Sequence, residues 1–145
     1  TAPTTCIPGE CSGRLGWAVQ MEVLPLPIDE PALIAEREAS DGVGAVVVFH
    51  GVVRAREGDA TISAIDYESF EDMACHQFEL IFEEIDRQWP LESVRVVHRL
   101  GVVPVNEASL WVEIIAPHRA EAFDACQFLI SEMKLRVPIW KRPVR

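Results

Sequence analysis

One β-branched run constrains the fold of this chain more than any other feature of its sequence. Residues 41–53, DGVGAVVVFHGVV, have the composition of a buried strand, since consecutive valines and a phenylalanine pack well within a covered sheet. Gly51 interrupts the run, as expected where a strand bulges or lets another group approach its backbone. The sequence therefore predicts a sheet with at least one buried strand.

Strand and helix patterns follow one another on both sides of this run. Further strands are predicted at residues 17–26, 61–69, 93–101 and 108–116, where apolar and β-branched residues lie between turn signals. Helical spacing predicts helices at residues 29–38, 69–89 and 117–135. Asn106 can adopt the left-handed backbone of a tight connection between the last two strands. Together these elements predict an α+β fold, a mostly antiparallel sheet covered by helices.

The length of the chain predicts a single domain. A chain of 145 residues can bury a proper core. Residues 1–16 are rich in Thr, Pro, Gly and Ser, which predicts a flexible leader before a folded domain at residues 17–145. No basic-then-apolar signal peptide and no bilayer-length apolar run is present, so we expect a cytoplasmic protein without membrane contact.

The four cysteines indicate no metal site. No CxxC pair and no Cys/His spacing typical of zinc ligands occurs in the sequence. Four reduced thiols are therefore expected, as is ordinary in a cytosolic protein, and neither a metal nor a cofactor is expected.

The basic residues are concentrated at one end of an otherwise acidic chain. The formal net charge is −10, which argues against nucleic acid as the main partner, because phosphate backbones need a broadly basic surface. The last twelve residues nevertheless contain five basic side chains and no acid: Lys134, Arg136, Lys141, Arg142 and Arg145. A local basic cluster in an acidic protein suits a small anionic ligand.

The two lysines of this segment are the only lysines in the chain. Eleven of the thirteen basic residues are arginine, so Lys134 and Lys141 stand out. A helical wheel places Lys134 at the edge of the buried arc, where partial desolvation would lower the pKa of its ammonium and favour proton transfer. Two alternatives stay open: codon bias against lysine, or complementation of the helix dipole by Lys134 and Arg136.

Three further basic sites are candidates for anion binding. Arg54 follows the buried strand and lies close to Gly51, where a guanidinium could bind a phosphate through two hydrogen bonds, although a solvated arginine fits equally well. His118-Arg119 opens a helix, whose first turn favours anions, but a plain surface role is also open. For His98-Arg99 a structural role is expected. No pattern typical of a serine or cysteine nucleophile or of a P-loop is present, so the basic residues point to electrostatic stabilisation of an anion.

Four segments in this order and spacing resemble a known family. The segments GAVVVFHGVVR, WPLESVRVVHRLG, APHRAEAFDACQFLISEMK and VPIWKR are similar to those of the large, catalytic subunits of molybdopterin synthase, over about residues 17–142. The resemblance implies a fold of the α/β-hammerhead type. It also implies a sulfurtransferase that converts cyclic pyranopterin monophosphate into molybdopterin by installing two dithiolene sulfurs.

The resemblance further implies a protein partner. The sulfur donor of this family is a small ubiquitin-like subunit whose C-terminal Gly-Gly carries a thiocarboxylate, and this chain has no Gly-Gly of its own. Two large subunits form a central homodimer within a heterotetramer, with one small subunit docked on each.

The family's site residues can be carried over by position. Lys134 and Lys141 match the two lysines of the sulfur-transfer site, where they are expected to be catalytic and also to bind substrate. The other substrate-binding positions are Arg54 with its neighbours Val52 and Val53, His118 and Arg119 reaching across the dimer interface, and Arg142. Met133, Pro138 and Trp140 are expected to pack around the lysines and exclude water.

Departures from the family pattern leave an alternative open. Some relatives have lysine at the position of Val52, and glutamate often occupies the position of Pro143. The family usually continues beyond the position of Arg145. The alternative is a non-catalytic paralogue that binds the small subunit, or a phosphorylated metabolite, without turnover.

Overall fold

The computed structural model describes residues 4–6, 17–69 and 71–145. Apart from a three-residue strand, the predicted leader at residues 1–16 lies outside the described residues. Three helices are present: α1 (Glu30–Ala35), α2 (Glu71–Gln88) and α3 (Arg119–Arg136). The strands are β1 (Thr4–Cys6), β2 (Ala18–Leu24), β3 (Ala45–Val52), β4 (Arg56–Glu57), β5 (Ala60–Thr61), β6 (Ala64–Ser69), β7 (Ser93–Arg99), β8 (Gly101–Pro104), β9 (Ala108–Ala116) and β10 (Ile139–Val144).

Five strands form the main sheet, in the order β1-β2-β7-β9-β3. Only β2 and β7 pair in parallel, and the other neighbours are antiparallel, which confirms the predicted mostly antiparallel α+β fold. The buried run forms β3, whose pairing with β9 is irregular between Gly51 and Val52. The glycine therefore marks a bulge at the end of this strand, as its position in the sequence predicted.

Strand β9 lies near the centre of the main sheet and is covered on both faces. Val112 and Ile114 point toward α2 and α3 and join a large apolar core with residues such as Phe78, Phe82 and Leu129. Trp111 points to the opposite face, where it packs with Leu33 of α1 and other apolar residues. The continuous apolar character of this strand follows from burial on both sides.

A buried carboxylate joins the sheet to the segment after α1. Glu113 on β9 is fully buried and accepts a hydrogen bond from Arg95 Nε at 2.8 Å and another from Arg37 Nε at 2.7 Å. Arg95 also donates to the Leu33 carbonyl at 2.8 Å and lies 5.1 Å from the Trp111 ring centroid. Two guanidinium groups therefore compensate the charge of Glu113, and the network fixes α1 on its face of the sheet.

A second, smaller sheet carries the C-terminal segment. Its order is β10-β6-β8, all antiparallel, and the two-residue strands β4 and β5 form a hairpin that precedes β6. Gly58 in this hairpin has φ 62° and Asn106 before β9 has φ 73°, so both turns use the left-handed conformation. The left-handed backbone of Asn106 was predicted, whereas β8, β10 and the hairpin strands were not.

The exposed and buried faces of α3 differ from the prediction at one aromatic residue. Ala122, Cys126, Leu129 and Met133 are buried as the helical wheel requires. Phe123, which the helical wheel of the sequence also predicts to be on the buried arc, is 60% exposed. The buried stripe of α3 continues instead through Ala125, because this side of the helix faces the sheet and α2.

His98 has the structural role expected for it. Its ring is buried, Nδ1 lies 2.9 Å from the Arg99 carbonyl, and Tyr67 packs edge-on at 5.2 Å between ring centroids. Burial lowers the pKa of His98 to about 4, so the ring is neutral near pH 7.

Two further expectations concern the thiols and the membrane. Cys126 is a free, buried thiol, but Cys75 is disulfide-bonded, so the expectation of four reduced thiols is wrong at Cys75. Among the helices of the described residues, none combines the length and the apolar character that crossing a bilayer requires.

Replacing Glu113 tests the buried charge network. Glu113→Gln leaves Arg95 buried without its counter-ion, so we expect the free energy of unfolding to fall by about 3 kcal/mol, measured by urea denaturation. The matched control is Glu107→Gln, which breaks an ion pair to Arg99 of 2.8 Å that is exposed on the glutamate side, and should lower the free energy by less than about 1 kcal/mol. Equal losses in the two variants would contradict a special role for Glu113.

Candidate functional site

The C-terminal strand presents two of the candidate cations. β10 pairs with β6 in a register that sets Lys141 opposite Tyr67 and Arg142 opposite Asp66. This pairing fixes the backbone of both basic residues against the small sheet. The Arg142 guanidinium, 77% exposed, lies 3.4 Å from Asp66 Oδ2. Its contact with the fold is therefore loose and solvent-screened.

Lys141 is held more closely, by a carboxylate from the hairpin. Its Nζ lies 2.9 Å from Oε1 of Glu57 on β4. The hydrogen bond and charge of Lys141, with a further contribution from the charge of Arg54, lower the pKa of the Glu57 carboxyl. Arg54 leads from the end of β3 into this hairpin and is exposed. The fold thus brings Lys141, distant in sequence, into contact with a carboxylate that lies three residues after Arg54.

Lys134 lies in the last turn of α3 and is exposed. It forms no ion pair with another residue of the described part of the chain, whereas the nearby Arg136 bonds to Glu84 of α2 and, at 3.3 Å, to Glu132. Arg136 therefore ties the two helices together and Lys134 does not. Lys134 and Lys141 flank the short connection from α3 into β10, so the chain itself keeps their Cα atoms within about 25 Å.

The residues expected to exclude water around the lysines differ in burial. Met133 is buried in the main core and Pro138 is half-buried, while Trp140 is 52% exposed. In the single chain both ammonium groups are open to solvent.

His118 and Arg119 lie at the start of α3 and both are exposed. His118 is the N-cap residue, with extended backbone, and its Nδ1 lies 3.2 Å from Glu121 Oε1. Free N–H groups of the first turn lie beside both side chains. This position can bind an anion, but it lies far from Arg54 within one chain.

The register of β3 with β9 explains that separation. Ala45 pairs with Ala116, next to the start of α3, whereas Val52 pairs with Ala108 at the other end. The seven residue steps between Ala45 and Val52 span about 23 Å. One chain therefore brings together Arg54 and Lys141, but not Arg54 and His118-Arg119.

The two valines before Arg54 have different environments. Val52 is largely exposed at the end of β3. Val53 is buried with Ile62, Ile65 and Val103, its N–H donates to the Glu107 carbonyl, and its own carbonyl accepts from Asn106 N–H. Val53 therefore has a packing role that orients the start of the Arg54 segment.

Sequence reasoning missed the acidic members of this site. Glu57 and Asp66 hold Lys141 and Arg142, and neither belongs to a motif. A signal for Glu57 existed, because it is the one acid directly after Arg54 and Arg56 in a short segment that ends in the turn signal Gly58-Asp59. Its cationic partner, however, lies in a strand that the sequence did not predict.

The arrangement suits an anionic ligand rather than covalent catalysis. Within the described residues, no group of three or more His, Cys, Asp or Glu side chains is arranged as a metal site. Exposed guanidinium and ammonium groups on rigid strands can bind and neutralise oxyanions, and an ammonium can also transfer a proton.

Comparisons with known proteins identify the family. The family model described as MoaE protein matches residues 24–136. A protein from Aedes aegypti named molybdopterin synthase catalytic subunit 1 is 36% identical over 125 residues, covering 84% of this chain and 81% of its own length. A crystal structure of molybdopterin synthase from Staphylococcus aureus superposes with a TM-score of 0.76 at 30% identity, covering 84% of this chain and 88% of that one.

A more distant structure shares the fold. It was solved as a complex of subunits 1 and 2 of the molybdopterin-converting factor from Helicobacter pylori 26695, and its TM-score is 0.71 at 22% identity over 85% of this chain and 83% of that one. The family model extends from the last residue of β2 to the end of α3, and the Aedes aegypti relative also covers most of the sequence. This chain belongs to the MoaE protein family.

Proposed function

We propose that this chain is the catalytic, sulfur-transferring subunit of a molybdopterin synthase. It converts cyclic pyranopterin monophosphate into molybdopterin by inserting two dithiolene sulfurs, taken from the C-terminal Gly-Gly thiocarboxylate of a small ubiquitin-like subunit. Membership of the MoaE family supports the reaction class. The observation that carries the proposed site is the contact of Lys141 with Glu57, three residues after Arg54, on the side of the fold where α3 passes into β10.

The two lysines take different parts in the proposed reaction. Lys134, which lacks an ion pair among the described residues, meets the thiocarboxylate tail and neutralises it. In each of two rounds, each with a fresh thiocarboxylated carrier, a carbon–sulfur bond forms at the pterin side chain as a carbon–oxygen bond there breaks, and Lys134 donates the proton that the leaving oxygen takes up. Attack of water on the resulting thioester then breaks the bond between the sulfur and the carrier, which leaves the carrier with an ordinary carboxylate.

The remaining cations bind the substrate. Lys141, Arg142 and Arg54 hold the phosphate and the charge that develops on the pterin, because fixed cations on rigid strands stabilise negative charge without reorganisation. The acidic surface elsewhere, with a net charge of −10, makes this cluster the local destination for anions.

A homodimer completes the proposed site. Among the described strands, β3 is an edge of the main sheet that pairs only with β9, and it presents β-branched residues without lysine or proline. Antiparallel pairing of β3 with β3 of a second copy would set Val52 of one copy near Ala45 of the other. Since Ala45 lies beside the start of α3, Arg54 would then meet His118 and Arg119 of the second copy. This geometry supports a composite phosphate site across a two-fold axis.

Four properties of the protein stay predictions: a heterotetramer with one small subunit docked on each large subunit, a domain boundary at residue 17, the absence of a cofactor, and a cytoplasmic location. The disulfide at Cys75 is more typical of oxidising compartments than of the cytoplasm.

Removing Lys134 tests the proton-transfer role. With thiocarboxylated small subunit and cyclic pterin, we expect Lys134→Ala to slow dithiolene formation at least about 100-fold, because a positioned acid or base contributes about that much. The matched control is Arg87→Ala, which removes an exposed cation from the last turn of α2 and should keep the rate within about twofold. An unchanged rate in Lys134→Ala would remove Lys134 from the mechanism, and binding without turnover by the unmodified chain would favour the non-catalytic paralogue.

Mixing two inactive variants tests the composite site. Arg54→Ala and Arg119→Ala should each lose most activity. Co-expression should restore about a quarter of it, because half of the dimers are then mixed and each mixed dimer has one intact site of two. The readout is dithiolene formation by the co-expressed pair, with each variant alone as the baseline. No recovery on co-expression would place Arg54 and Arg119 in the same copy's site or in no common site.

A further inference from the structure

Glu57 contacts a proposed anion-binding lysine, although the proposed reaction uses only cations at this place. Its carboxylate lies 2.9 Å from Lys141, a residue assigned to anion binding, and comes three positions after Arg54, which is assigned to the same role. A carboxylate in contact with one binding cation and close to another takes up charge that would otherwise attract a ligand. The free protein therefore has an anion of its own at this place.

The β4–β5 hairpin positions the Glu57 carboxylate close to β10. Glu57 is on β4, the first arm of a hairpin that pairs with β5 and turns at Gly58, where φ is 62°. The Ile62 N–H donates to the Ala55 carbonyl at 2.8 Å and closes the base of the hairpin. Ser63 then donates through its backbone N–H to the Val144 carbonyl at 2.8 Å, which ties the same base to the end of β10.

The ion pair between Glu57 and Lys141 is short but solvent-exposed, so it can form in the free protein and can also break. The side chain of Glu57 is 30% exposed and that of Lys141 is 54% exposed. Surface ion pairs of this kind contribute about 0–1 kcal/mol. The Glu57 side chain can therefore swing into solvent at small cost when a stronger anion arrives.

We propose that Glu57 is a resident carboxylate that occupies the oxyanion subsite at Lys141 in the free protein and is displaced by an oxyanion of the ligand. Glu57 is thus a specificity-determining residue, because only an oxyanion that binds Lys141 better than a side-chain carboxylate does can occupy the subsite. The inference depends on the proposed function only for the identity of that oxyanion, which is either the phosphate of the pterin substrate or the carboxyl end of the carrier peptide.

The neighbouring acid provides a comparison within the same sheet. Asp66 on β6 lies 3.4 Å from Arg142, whose guanidinium is more exposed than the Lys141 ammonium. This contact joins one acid to one cation and leaves no second candidate cation beside it among the contacts of the described residues. Asp66 therefore supplies the same charge as Glu57 but contacts Arg142 and not Lys141.

The presence of only two lysines makes the inference directly measurable. Labelling the chain with [13Cε]-lysine gives two side-chain NMR signals, which Lys134→Arg and Lys141→Arg assign. Inorganic phosphate and an acetyl-Gly-Gly peptide with a free carboxyl end are then titrated separately into the unmodified chain and into Glu57→Gln. The Lys134 signal reports in each protein whether the fold around α3 is unchanged.

The expected result is a stronger response of Lys141 when Glu57 is neutral. In Glu57→Gln, the dissociation constant read from the Lys141 signal should fall about fivefold, because the ligand no longer displaces a charged group. A fall for phosphate assigns the subsite to the substrate phosphate, and a fall for the peptide assigns it to the carrier tail. Asp59→Asn, an exposed position of the same hairpin with the same change in net charge, is the control and should alter either constant less than about twofold.

Two outcomes would overturn the inference. One is a dissociation constant that is unchanged or raised in Glu57→Gln for both anions; the other is a Lys141 signal that neither anion moves in either protein. Sulfur transfer is not measured in this experiment. A chain without synthase activity can therefore still confirm the resident carboxylate, and an active synthase can still contradict it.

Discussion

The antiparallel pairing of β10 with β6 is the constraint on which the candidate site depends. Six consecutive residue pairs, from Ile139 with Ser69 to Val144 with Ala64, hold the C-terminal segment on the small sheet. Pro143 is tolerated because β10 is an edge strand, where one side of the backbone needs no ladder partner. Without this pairing Lys141 and Arg142 would belong to a mobile tail, and Glu57 would have no fixed cation as its partner.

Charge is divided in this molecule between structure and ligand binding. Buried and half-buried arginines serve the fold: the buried Arg95 and the half-buried Arg37 compensate Glu113, and the half-buried Arg136 joins α3 to α2 through Glu84. The exposed cations near the turn from α3 into β10 have weaker attachments or none, and they remain available to an anion. This division explains why both lysines lie near the turn from α3 into β10. A flexible, strongly hydrated ammonium suits a group that must exchange partners, whereas the planar guanidinium of arginine suits fixed ion pairs.

Local patterns in the sequence were sufficient for most of the fold and for the cationic half of the site. Strand β9 has the predicted bounds, α3 covers most of the predicted helix, and the bulge at Gly51 and the turn at Asn106 follow from the properties of single residues. Pairing between distant segments could not be read in the same way. Strand β10 contains Pro143, follows Pro138, and has no alternation of apolar residues, so its own sequence does not predict a strand. It becomes a strand because it pairs with β6, and only that pairing places Lys141 in contact with Glu57. Glu113 lies within an apolar run, where its two arginine partners come from other parts of the chain.

We propose that cations placed by β3, α3 and β10 promote the transfer of sulfur from a carrier protein to a pterin. A single-turnover reaction follows the sulfur atoms themselves: the unmodified chain is mixed with cyclic pyranopterin monophosphate and with at least two equivalents of a small subunit that carries a 34S-labelled thiocarboxylate. Mass spectrometry of the pterin should find the label in both dithiolene positions and an ordinary carboxylate on the carrier. A pterin that stays free of label while the carrier keeps its thiocarboxylate would contradict the account.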